Sequence, residues 1–347
     1  KVCRERIDCI VCGKRVELLL DLGEQPLANN YHKGFPQDMY PLRLMLCKEC
    51  DHLQLSHNIS PELLFKNYQY RSGTSITLRK YFSWLAQKIK TENPSASSIL
   101  ELACNDGSQL DCFKKLGWRT GGVDPAENIV KNITEHKIYN LFFSQRTSSE
   151  IEEKYDVILA QNVVAHTDTP HSFLKGCRNI MGENTVLYIQ TSQCDMVRNN
   201  EFDTIYHEHV SFFSIRSMEK LLRLNGLFLQ NVEKTNIHGN SMLYTVRKVE
   251  TGFVPPSFTY DYEIYKEKVE NIVKKLSEKI SAFKECGYKV IGYGASAKGN
   301  TLLNWGKIKL DYILDDQKSK HGLLTPGMNI EIKEPEYIQQ EEGKVLV

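Results

Sequence analysis

The stretch SILELACNDGSQLDCFKKLG, residues 98–117, decides the fold of this chain. It predicts a short apolar strand over residues 98–102, a turn over residues 103–107 and then an amphipathic helix. The residues that follow, WRTGGVDP, predict a second strand that ends at Asp124. This arrangement is typical of a site for an adenosine-bearing cofactor, because the turn brings backbone amides close to it and the terminal acid accepts from ribose hydroxyls.

The turn indicates which adenosine cofactor is bound. A nicotinamide site needs G-x-G-x-x-G at this position, and ACNDG does not supply it. The pattern E-x-x-x-N-D-G, from Glu101 to Gly107, instead resembles motif I of class I S-adenosylmethionine (SAM) methyltransferases. Further along, YDVILAQNVVAH (155–166) predicts the fourth strand, with Asn162 and His166 at its carboxyl end, where such sheets bind ligands. From the residues alone, a helix-capping surface position is an equally good interpretation of His166.

A second informative stretch, FDTIYHEHVSFFS (202–214), sets Tyr206, His207, Glu208 and His209 side by side. If the backbone is extended here, Tyr206 and Glu208 share one face while the two histidines share the other. Such a cluster offers a base near neutral pH, a carboxylate to orient it and a phenol to stabilise an oxyanion. The alternatives are a polar loop that caps a strand, or a His-x-His metal site, which needs a third ligand that the sequence does not locate.

The N-terminal unit, residues 1–57, carries two CxxC pairs. Four thiolates can hold a tetrahedral zinc ion, and a unit this small has too little core to fold easily without one. A redox CxxC is less favoured, because two pairs occur and neither opens a βαβ pattern. We predict a structural zinc. The neighbouring His52 and His57 could substitute as ligands, but surface positions are the favoured interpretation. The predicted ligands are Cys9, Cys12, Cys47 and Cys50.

A second strand, glycine turn and helix follow at KVIGYGASAKGNTLLN (289–304). One long amphipathic helix over residues 262–286, ended by Gly287, leads into it. The glycines let backbone approach a ligand, and a helix N-terminus with Lys298 suits a pyrophosphate. Because G-x-G-x-x-x-x-G is a weak dinucleotide fingerprint, an α/β unit without a ligand is the alternative.

Residues 62–93 predict helical structure with a break at NYQYRSGTS (67–75). The break is either a plain connection between two helices or a lid that closes on a ligand.

Composition excludes several classes of function. With 44 Lys and Arg against 43 Asp and Glu, the net charge is +1, so no basic surface argues for nucleic acid or an anionic membrane. No apolar run approaches the roughly 20 residues that span a bilayer. The start, KVCRERIDC, lacks the apolar core of a secretory signal, and the ten cysteines fit a reducing cytosol. We therefore expect a cytoplasmic protein without nucleic-acid or membrane partners, as a monomer or weak dimer.

A series of motifs runs along nearly the whole chain: LGEQPLAN behind the first CxxC, NYQYRSGTS, ELACNDG, NVVAHTDTPHSFLKG, FDTIYHEHVSFFS, GYGASAKGNTLLN and KHGLLTPGMNI. Together they resemble one family, the SAM-dependent C-methyltransferases of deoxysugar biosynthesis, which act on nucleotide-linked 4-keto-6-deoxyhexoses. The resemblance implies an α/β fold class with a class I methyltransferase Rossmann-like domain and a second, C-terminal Rossmann-like α/β domain. The expected bounds are 1–57 for a small zinc-binding domain, 58–252 for the SAM-binding domain and 253–347 for the nucleotide-sugar-binding domain.

The resemblance also implies a reaction and its residues. In such enzymes a base removes the proton alpha to the ketone, and the enolate carbon attacks the methyl sulfonium. The implied catalytic residues are His209 as the base, Glu208 to orient it, and Tyr206, His166 and Tyr70 to hold the enolate oxygen. The implied SAM-binding residues are Ser72, Glu101, Cys104, Asn105, Asp106, Gly107, Asp124 and Asn162. The implied residues for the nucleotide diphosphate and the sugar are Tyr68, His207, His238, Asn240, Tyr293, Gly294, Ser296, Lys298, Asn300 and Asp315.

The chain departs from the family pattern in three places. Leu243 stands where an arginine is usual, and Gln190 and Ser192 stand where a glutamate and a proline are usual. The chain also ends at Val347, well before relatives usually end, which predicts a C-terminal domain without its closing strand and helix, or an incomplete sequence. These changes predict an altered substrate or, at the extreme, lost catalysis. The alternatives are therefore an O- or N-methyltransferase of a nucleotide sugar, or an impaired relative that only binds one.

Overall fold

The structure is a computed structural model of the chain. Four predicted site residues lie outside the residues that it describes, namely Tyr68, Tyr70, His238 and Asn240. The described residues are 2–65, 71–192, 194–235, 237 and 241–347.

The elements alternate between strands and helices over most of the chain. The strands are β1 Cys3–Glu5, β2 Glu17–Gln25, β3 Tyr40–Cys47, β4 His52–Leu55, β5 His57–Ile59, β6 Ser98–Leu102, β7 Arg119–Val123, β8 Lys137–Tyr139, β9 Val157–Gln161, β10 Val186–Ser192, β11 Ser211–Phe212, β12 Phe228–Thr235, β13 Ser241–Arg247, β14 Lys289–Val290, β15 Gly292–Tyr293, β16 Ile313–Leu314, β17 Ile332–Lys333 and β18 Val345–Leu346. The α-helices are α1 Pro61–Phe65, α2 Ile76–Glu92, α3 Ser108–Lys115, α4 Glu127–Val130, α5 Pro170–Ile180, α6 Asp195–Asn199, α7 Ile215–Leu224, α8 Tyr262–Glu285 and α9 Ala297–Trp305. Short 3₁₀ turns lie at Ser72–Thr74, Thr147–Glu150, Val164–His166, Lys318–Lys320 and Pro335–Gln340.

A seven-stranded sheet in the order β12-β13-β10-β9-β6-β7-β8 forms the centre of the molecule. Strands β8, β7, β6, β9 and β10 are parallel, whereas β13 runs antiparallel to both of its neighbours. The order of the strands reverses between β6 and β9. Ligands are expected outside the carboxyl ends of the strands at such a switch point.

Helices cover both faces of this sheet, so its parallel strands are apolar on both sides. Leu100 and Ile158 pack in one core cluster with Leu174 of α5 and Leu221 of α7. Their neighbours Ile99 and Val157 face the other way and pack in a second cluster, with Leu85 of α2 and Phe113 of α3. Truncating one of these buried leucines to alanine should lower the free energy of unfolding by about 2–5 kcal/mol. The sheet is therefore a well-packed support for the site at its edge.

The local units predicted from the sequence are confirmed with small changes. Strand β6 and helix α3 lie where residues 98–117 predict them, and α8 ends before Gly287, whose φ of +81° needs glycine. The fourth strand is shorter than predicted. It ends at Gln161 because Asn162 has a left-handed φ of +51°, and a 3₁₀ turn then carries His166.

The N-terminal unit forms a four-stranded antiparallel sheet in the order β11-β4-β3-β2. Its outer strand β11 comes from the stretch that follows His209, so residues far apart in sequence complete one sheet. The expected surface position of His52 is therefore wrong. The ring is fully buried, with Nε2 3.2 Å from the Ser211 hydroxyl and Nδ1 3.4 Å from the Ser217 hydroxyl.

The C-terminal unit is a second α/β arrangement, as the sequence predicts. Strands β15, β16 and β17 are parallel neighbours, and β14 pairs in parallel with β18. Helix α8 also packs on the N-terminal sheet, where Tyr265 and Val269 share a core cluster with Leu20 and Leu44. Within the described residues, no helix has both the length and the apolar composition needed to cross a bilayer.

Candidate active site

The two CxxC pairs come together in a single cluster. The four Sγ atoms lie within 4.8 Å of one another, with Cys9 3.7 Å from Cys50 and Cys12 3.5 Å from Cys47. Tetrahedral zinc with Zn–S bonds of about 2.3 Å requires Sγ–Sγ distances of about 3.8 Å, so the spacing fits this ion. Four thiolates fill the coordination shell, which leaves no position for a substrate.

A cavity of about 820 Å³ opens at the carboxyl ends of β6, β7 and β9. Its volume is near the upper end of the range for small-molecule sites. The lining joins the motif I turn, the Tyr206 cluster, the loop after β2 and the start of α9. The polar residues of its wall include Asn29, Tyr31, Ser72, Glu101, Cys104, Asn105, Asp106, Asp124, Gln161, Asn162, His166, Gln190, Thr204, Tyr206, Glu208, His209, Ser296, Lys298, Gln317 and Lys320.

At one end of the cavity, two acids stand on neighbouring strands. Asp124 accepts from the backbone N–H of Asn105 and of Ala126, both at 2.9 Å, and burial raises its pKa. Glu101 is only 4% exposed, and burial raises its pKa well above the usual value. The Gln161 amide donates to Glu101 Oε1 at 3.2 Å, whereas Oε2 has no partner among the described residues. An unpaired buried acceptor of this kind fits the ammonium group of SAM.

The 3₁₀ turn Ser72–Thr74 holds the motif I turn through two hydrogen bonds. The Ser72 N–H donates to Asn105 Oδ1 at 3.0 Å, and the Gly73 N–H donates to Asp106 Oδ2 at 2.8 Å. Gly107, at φ +77°, starts α3 and lies outside the cavity wall formed by the described residues. The part of the predicted break that the structure describes is thus closed against the motif I turn.

The Tyr206 cluster is a turn, so the extended backbone considered above is wrong. The His209 N–H donates to the Tyr206 carbonyl at 2.9 Å, which brings the two side chains to the same side. Their ring centroids are 4.2 Å apart, and the Tyr206 hydroxyl lies 3.1 Å from His209 Nε2. The other nitrogen, Nδ1, lies 2.7 Å from the Thr204 carbonyl. Because a carbonyl can only accept, Nδ1 carries the proton and Nε2 presents its lone pair to the cavity.

The other predicted catalytic residues gather around this ring. His166 Nδ1 donates to the Glu208 carbonyl at 2.7 Å, and the His166 and His209 ring centroids are 4.8 Å apart. The Glu208 carboxylate accepts from Asn29 Nδ2 at 2.6 Å. The structure therefore brings together His166, Tyr206, Glu208 and His209, while the orienting bond to His209 comes from Thr204.

At the opposite end, the start of α9 faces the cavity. Ser296 caps this helix through a hydrogen bond from the Gly299 N–H at 3.1 Å, and Lys298 lines the wall. Lys320 also lines it, with Nζ 2.6 Å from the Ala295 carbonyl and 5.1 Å from the Tyr31 ring centroid. Lys320 also forms an ion pair with Asp315, with Nζ 3.4 Å from Oδ2. Lys298 and the start of α9 give this end positive charge and backbone donors, as a diphosphate requires.

Several predicted substrate residues lie outside the cavity wall. His207 is 1% exposed, and its ring packs edge-on against Tyr40 with centroids 5.9 Å apart. Asn300 is 2% exposed and donates to the Ala28 carbonyl at 2.8 Å. The other three predicted residues outside the wall, Tyr293, Gly294 and Asp315, lie in or directly after the C-terminal strands. Tyr293 donates to Asp316, Gly294 supplies a left-handed turn at φ +92°, and Asp315 accepts from the Ala295 N–H.

Other wall residues were not predicted from the sequence. Asn29 is the last residue of the LGEQPLAN motif, Tyr31 lies two positions after it, and Thr204 lies inside FDTIYHEHVSFFS, so a motif marked each of these neighbourhoods. Gln161 lies inside the predicted fourth strand and ends the observed strand β9, directly before the predicted Asn162. Lys320 is the first residue of the KHGLLTPGMNI motif, so a motif marked its neighbourhood as well.

Comparison with known families matches three consecutive segments of the chain. Residues 9–65 match a zinc binding domain, residues 74–232 a methyltransferase domain, and residues 237–347 a C-methyltransferase C-terminal domain. The chain is a SAM-dependent methyltransferase of this three-part family. Its curated relatives include the C-methyltransferase NovU of Streptomyces niveus, at 26% identity over 95% of this chain and 86% of NovU.

More distant relatives match only part of this methyltransferase. The mitochondrial ubiquinone biosynthesis O-methyltransferase of Homo sapiens is 24% identical over 39% of this chain and 42% of that protein. A solved SAM-dependent methyltransferase from Clostridium acetobutylicum covers 49% of this chain and 91% of its own, with 15% identity and a TM-score of 0.41. The predicted fold class, the SAM cofactor and the zinc site are confirmed by the sheet, the family matches and the cysteine cluster.

Proposed function

We propose that this enzyme methylates a carbon alpha to the ketone of a nucleotide-linked 4-keto-6-deoxy sugar through an enolate. The observation that carries the proposal is one cavity that joins the SAM-binding turn, the Tyr206–His209 pair and the start of α9. A methyl donor, a base and a nucleotide unit can then meet at one sugar. The motifs support the sugar nucleotide, and the match to NovU over 95% of the chain supports carbon as the acceptor.

His209 is the proposed base, because its neutral ring is held with the Nε2 lone pair toward the cavity. In the structure this lone pair accepts from the Tyr206 hydroxyl. When the sugar binds, Tyr206 turns its proton toward the ketone oxygen, and Nε2 takes the proton from the alpha carbon. The electron pair of the broken C–H bond then moves onto the oxygen to give the enolate, which the Tyr206 hydroxyl stabilises.

His166 and Tyr70 are the proposed additional partners of the enolate oxygen. The Nδ1–H of His166 is already given to the Glu208 carbonyl, so this ring donates to a ligand only when Nε2 is protonated as well. Tyr70 lies outside the described residues, and its role rests on the family resemblance.

Glu101, Asp124 and Asn162 are the proposed residues for SAM. The free Oε2 of Glu101 suits the ammonium group, and Asp124 lies at the end of β7, where ribose hydroxyls are bound in such folds. When bound, SAM would supply the enolate carbon with a methyl group from its positively charged sulfur, and S-adenosylhomocysteine would be the leaving group. The role of the protein is to place that carbon and exclude water.

The proposed site for the nucleotide diphosphate is the start of α9 with Ser296, Lys298 and Lys320. The helix dipole and the Lys298 ammonium favour an anionic ligand at this end of the cavity, and Lys320 can donate to it from its ion pair with Asp315. The nucleotide would hold the sugar ring beside His209.

The test is to incubate the purified protein with SAM and with thymidine, uridine and guanosine diphosphate 4-keto-6-deoxy sugars. The expected product carries one additional methyl group on carbon, identified by mass spectrometry and ¹³C NMR. Without SAM, the alpha proton should exchange with deuterated solvent. A methyl group on oxygen or nitrogen would contradict the proposal, and binding without transfer would indicate an impaired relative. The cytoplasmic location and the monomeric or weakly dimeric state stay predictions.

A further inference from the structure

The loop after β2 carries one polar side chain into the catalytic cluster. Asn29 lines the cavity, and its Nδ2 donates to Oε1 of Glu208 at 2.6 Å. The two residues are 179 positions apart in the chain. The N-terminal unit, whose cysteines form the zinc site, therefore contacts the group next to the proposed base.

The backbone on either side of Asn29 is fixed by the C-terminal unit. Asn300, which is 2% exposed, donates to the Ala28 carbonyl at 2.8 Å and to the Tyr31 hydroxyl at 3.3 Å. The Tyr31 hydroxyl in turn donates to the Ala295 carbonyl at 2.7 Å. Because α9 holds the loop on both sides of Asn29, the position of its amide is set by tertiary contacts.

The contact between Asn29 and Glu208 matters because Glu208 is buried. Glu208 is only 7% exposed, and burying a carboxylate costs free energy unless it accepts hydrogen bonds. An amide donates to a carboxylate without neutralising it, so Asn29 fixes the place of the charge. The carbonyl of the same residue accepts from His166, and the next residue is His209.

We propose that Asn29 is a positioning residue for the methyl transfer, because its amide fixes the Glu208 carboxylate beside the base. The inference rests on the proposed function, since that function makes His209, the residue directly after Glu208, the base. It makes the N-terminal unit a direct contributor to the active site in addition to its zinc-dependent stability.

The matched variants are Asn29→Ala and Asn30→Ala in the full-length, zinc-loaded protein. Asn30 is adjacent, of the same type and exposed. The hydrogen bonds that the described residues form with it use its backbone, whose N–H donates to the Leu27 carbonyl at 3.0 Å and whose carbonyl accepts from Gln37 at 2.6 Å. Losing a hydrogen bond to a charged group should lower kcat of Asn29→Ala about 10- to 100-fold. KM for SAM, zinc content and melting temperature should stay at wild-type values, and Asn30→Ala should match wild type throughout.

A double variant tests whether Asn29 acts through Glu208. If it does, Asn29→Ala combined with Glu208→Gln should be no slower than Glu208→Gln alone, because the two changes remove one interaction. Multiplied losses, or wild-type kcat in Asn29→Ala, would overturn the inference.

A measurement independent of turnover separates this inference from the proposed function. In protein labelled with ¹³C-carboxyl glutamate, Glu208→Gln identifies the Glu208 resonance. Its titration should move in Asn29→Ala and stay in place in Asn30→Ala. An unmoved titration would refute the positioning contact. If the titration moves but the wild-type enzyme methylates no keto sugar, the proposed function fails while the contact stands.

Discussion

At the residue scale, His209 has a partner on each ring nitrogen, the Thr204 carbonyl at Nδ1 and the Tyr206 hydroxyl at Nε2. His209→Ala removes the proposed base without altering either end of the cavity. We expect kcat to fall about 10²- to 10⁴-fold, while the dissociation constants for SAM and the sugar nucleotide stay near wild type. The measurements are turnover, deuterium exchange at the alpha carbon and calorimetry. His57→Ala, outside the cavity wall, is the control, and undiminished exchange in His209→Ala would retire the assignment.

The neighbouring His207 predicts a pH dependence of stability. Burial lowers its pKa to about 4, against about 6.5 in an unfolded chain. Between these values the unfolded chain binds a proton that the folded protein does not, so the free energy of unfolding falls as the pH falls through this window. Once the pH is below the folded-state pKa, this residue causes no further loss.

His207→Phe, which keeps a ring beside Tyr40 but cannot titrate, should remove this contribution. Between about pH 7 and pH 5, wild type should lose about 2 kcal/mol more stability than the variant. Urea unfolding at the two pH values measures the difference. Equal losses in the two proteins would show that His207 titrates normally in the folded state.

At the scale of elements, the 3₁₀ turn Ser72–Thr74 closes over the motif I turn, the proposed SAM site, at a place where only glycine fits. A Cβ on Gly73 would lie 2.2 Å from Ser108 Oγ and 2.9 Å from Asp106 Oδ2. Gly73→Ala should therefore push the segment away and break its bond to Asp106. We expect KM for SAM to rise about tenfold, as the loss of one hydrogen bond to a carboxylate implies.

The clash between a Cβ on residue 73 and Ser108 also predicts which second substitution should restore SAM affinity. Adding Ser108→Ala removes the nearest atom, so the double variant should recover part of the affinity for SAM, measured by calorimetry. Gly182→Ala is the matched control, because a Cβ there meets only Thr185 Oγ1 at 3.4 Å. Wild-type affinity in Gly73→Ala would show that the closed turn is unimportant for SAM.

At the scale of the whole molecule, one hydrophobic cluster joins three parts of the chain. Leu44 of the N-terminal sheet, Phe212 of β11 and Tyr265 of α8 pack in it together. Removing zinc should therefore disturb more than the cysteine cluster, because the sheet that the metal stabilises supports the active site. Structural zinc sites contribute about 10–16 kcal/mol in small domains, which is comparable to the whole stability of a protein.

Cys47→Ser should release zinc, lower the melting temperature of the main transition and reduce turnover at least about tenfold. Cys286→Ser, which changes an exposed cysteine, is the control. Zinc content, calorimetric melting and turnover are the measurements. A small separate low-temperature transition with full turnover would show that the N-terminal unit is independent.

Most features that depend on residues close together in the sequence were predicted correctly, whereas several that depend on tertiary packing were not. Strand β6, its turn and α3 depend on adjacent residues, and the catalytic group could be named because its motifs resemble those of a family. The buried position of His52 depends on β11 pairing with β4, which no local pattern encodes. The contact of Asn29 with Glu208 likewise depends on tertiary packing. The orientation of His209 could not be predicted because it comes from a backbone carbonyl, which every residue possesses.

Strand β11 has a practical consequence for building hybrid enzymes. It begins two positions after His209, and its register places Ser211 opposite Gln54 and Phe212 opposite Leu53. A graft that exchanges the first sixty or so residues between homologues would replace one partner of this pairing and leave the other. Recombination breakpoints should therefore keep residues 52–55 and 202–214 from the same parent, even though the chain separates them widely.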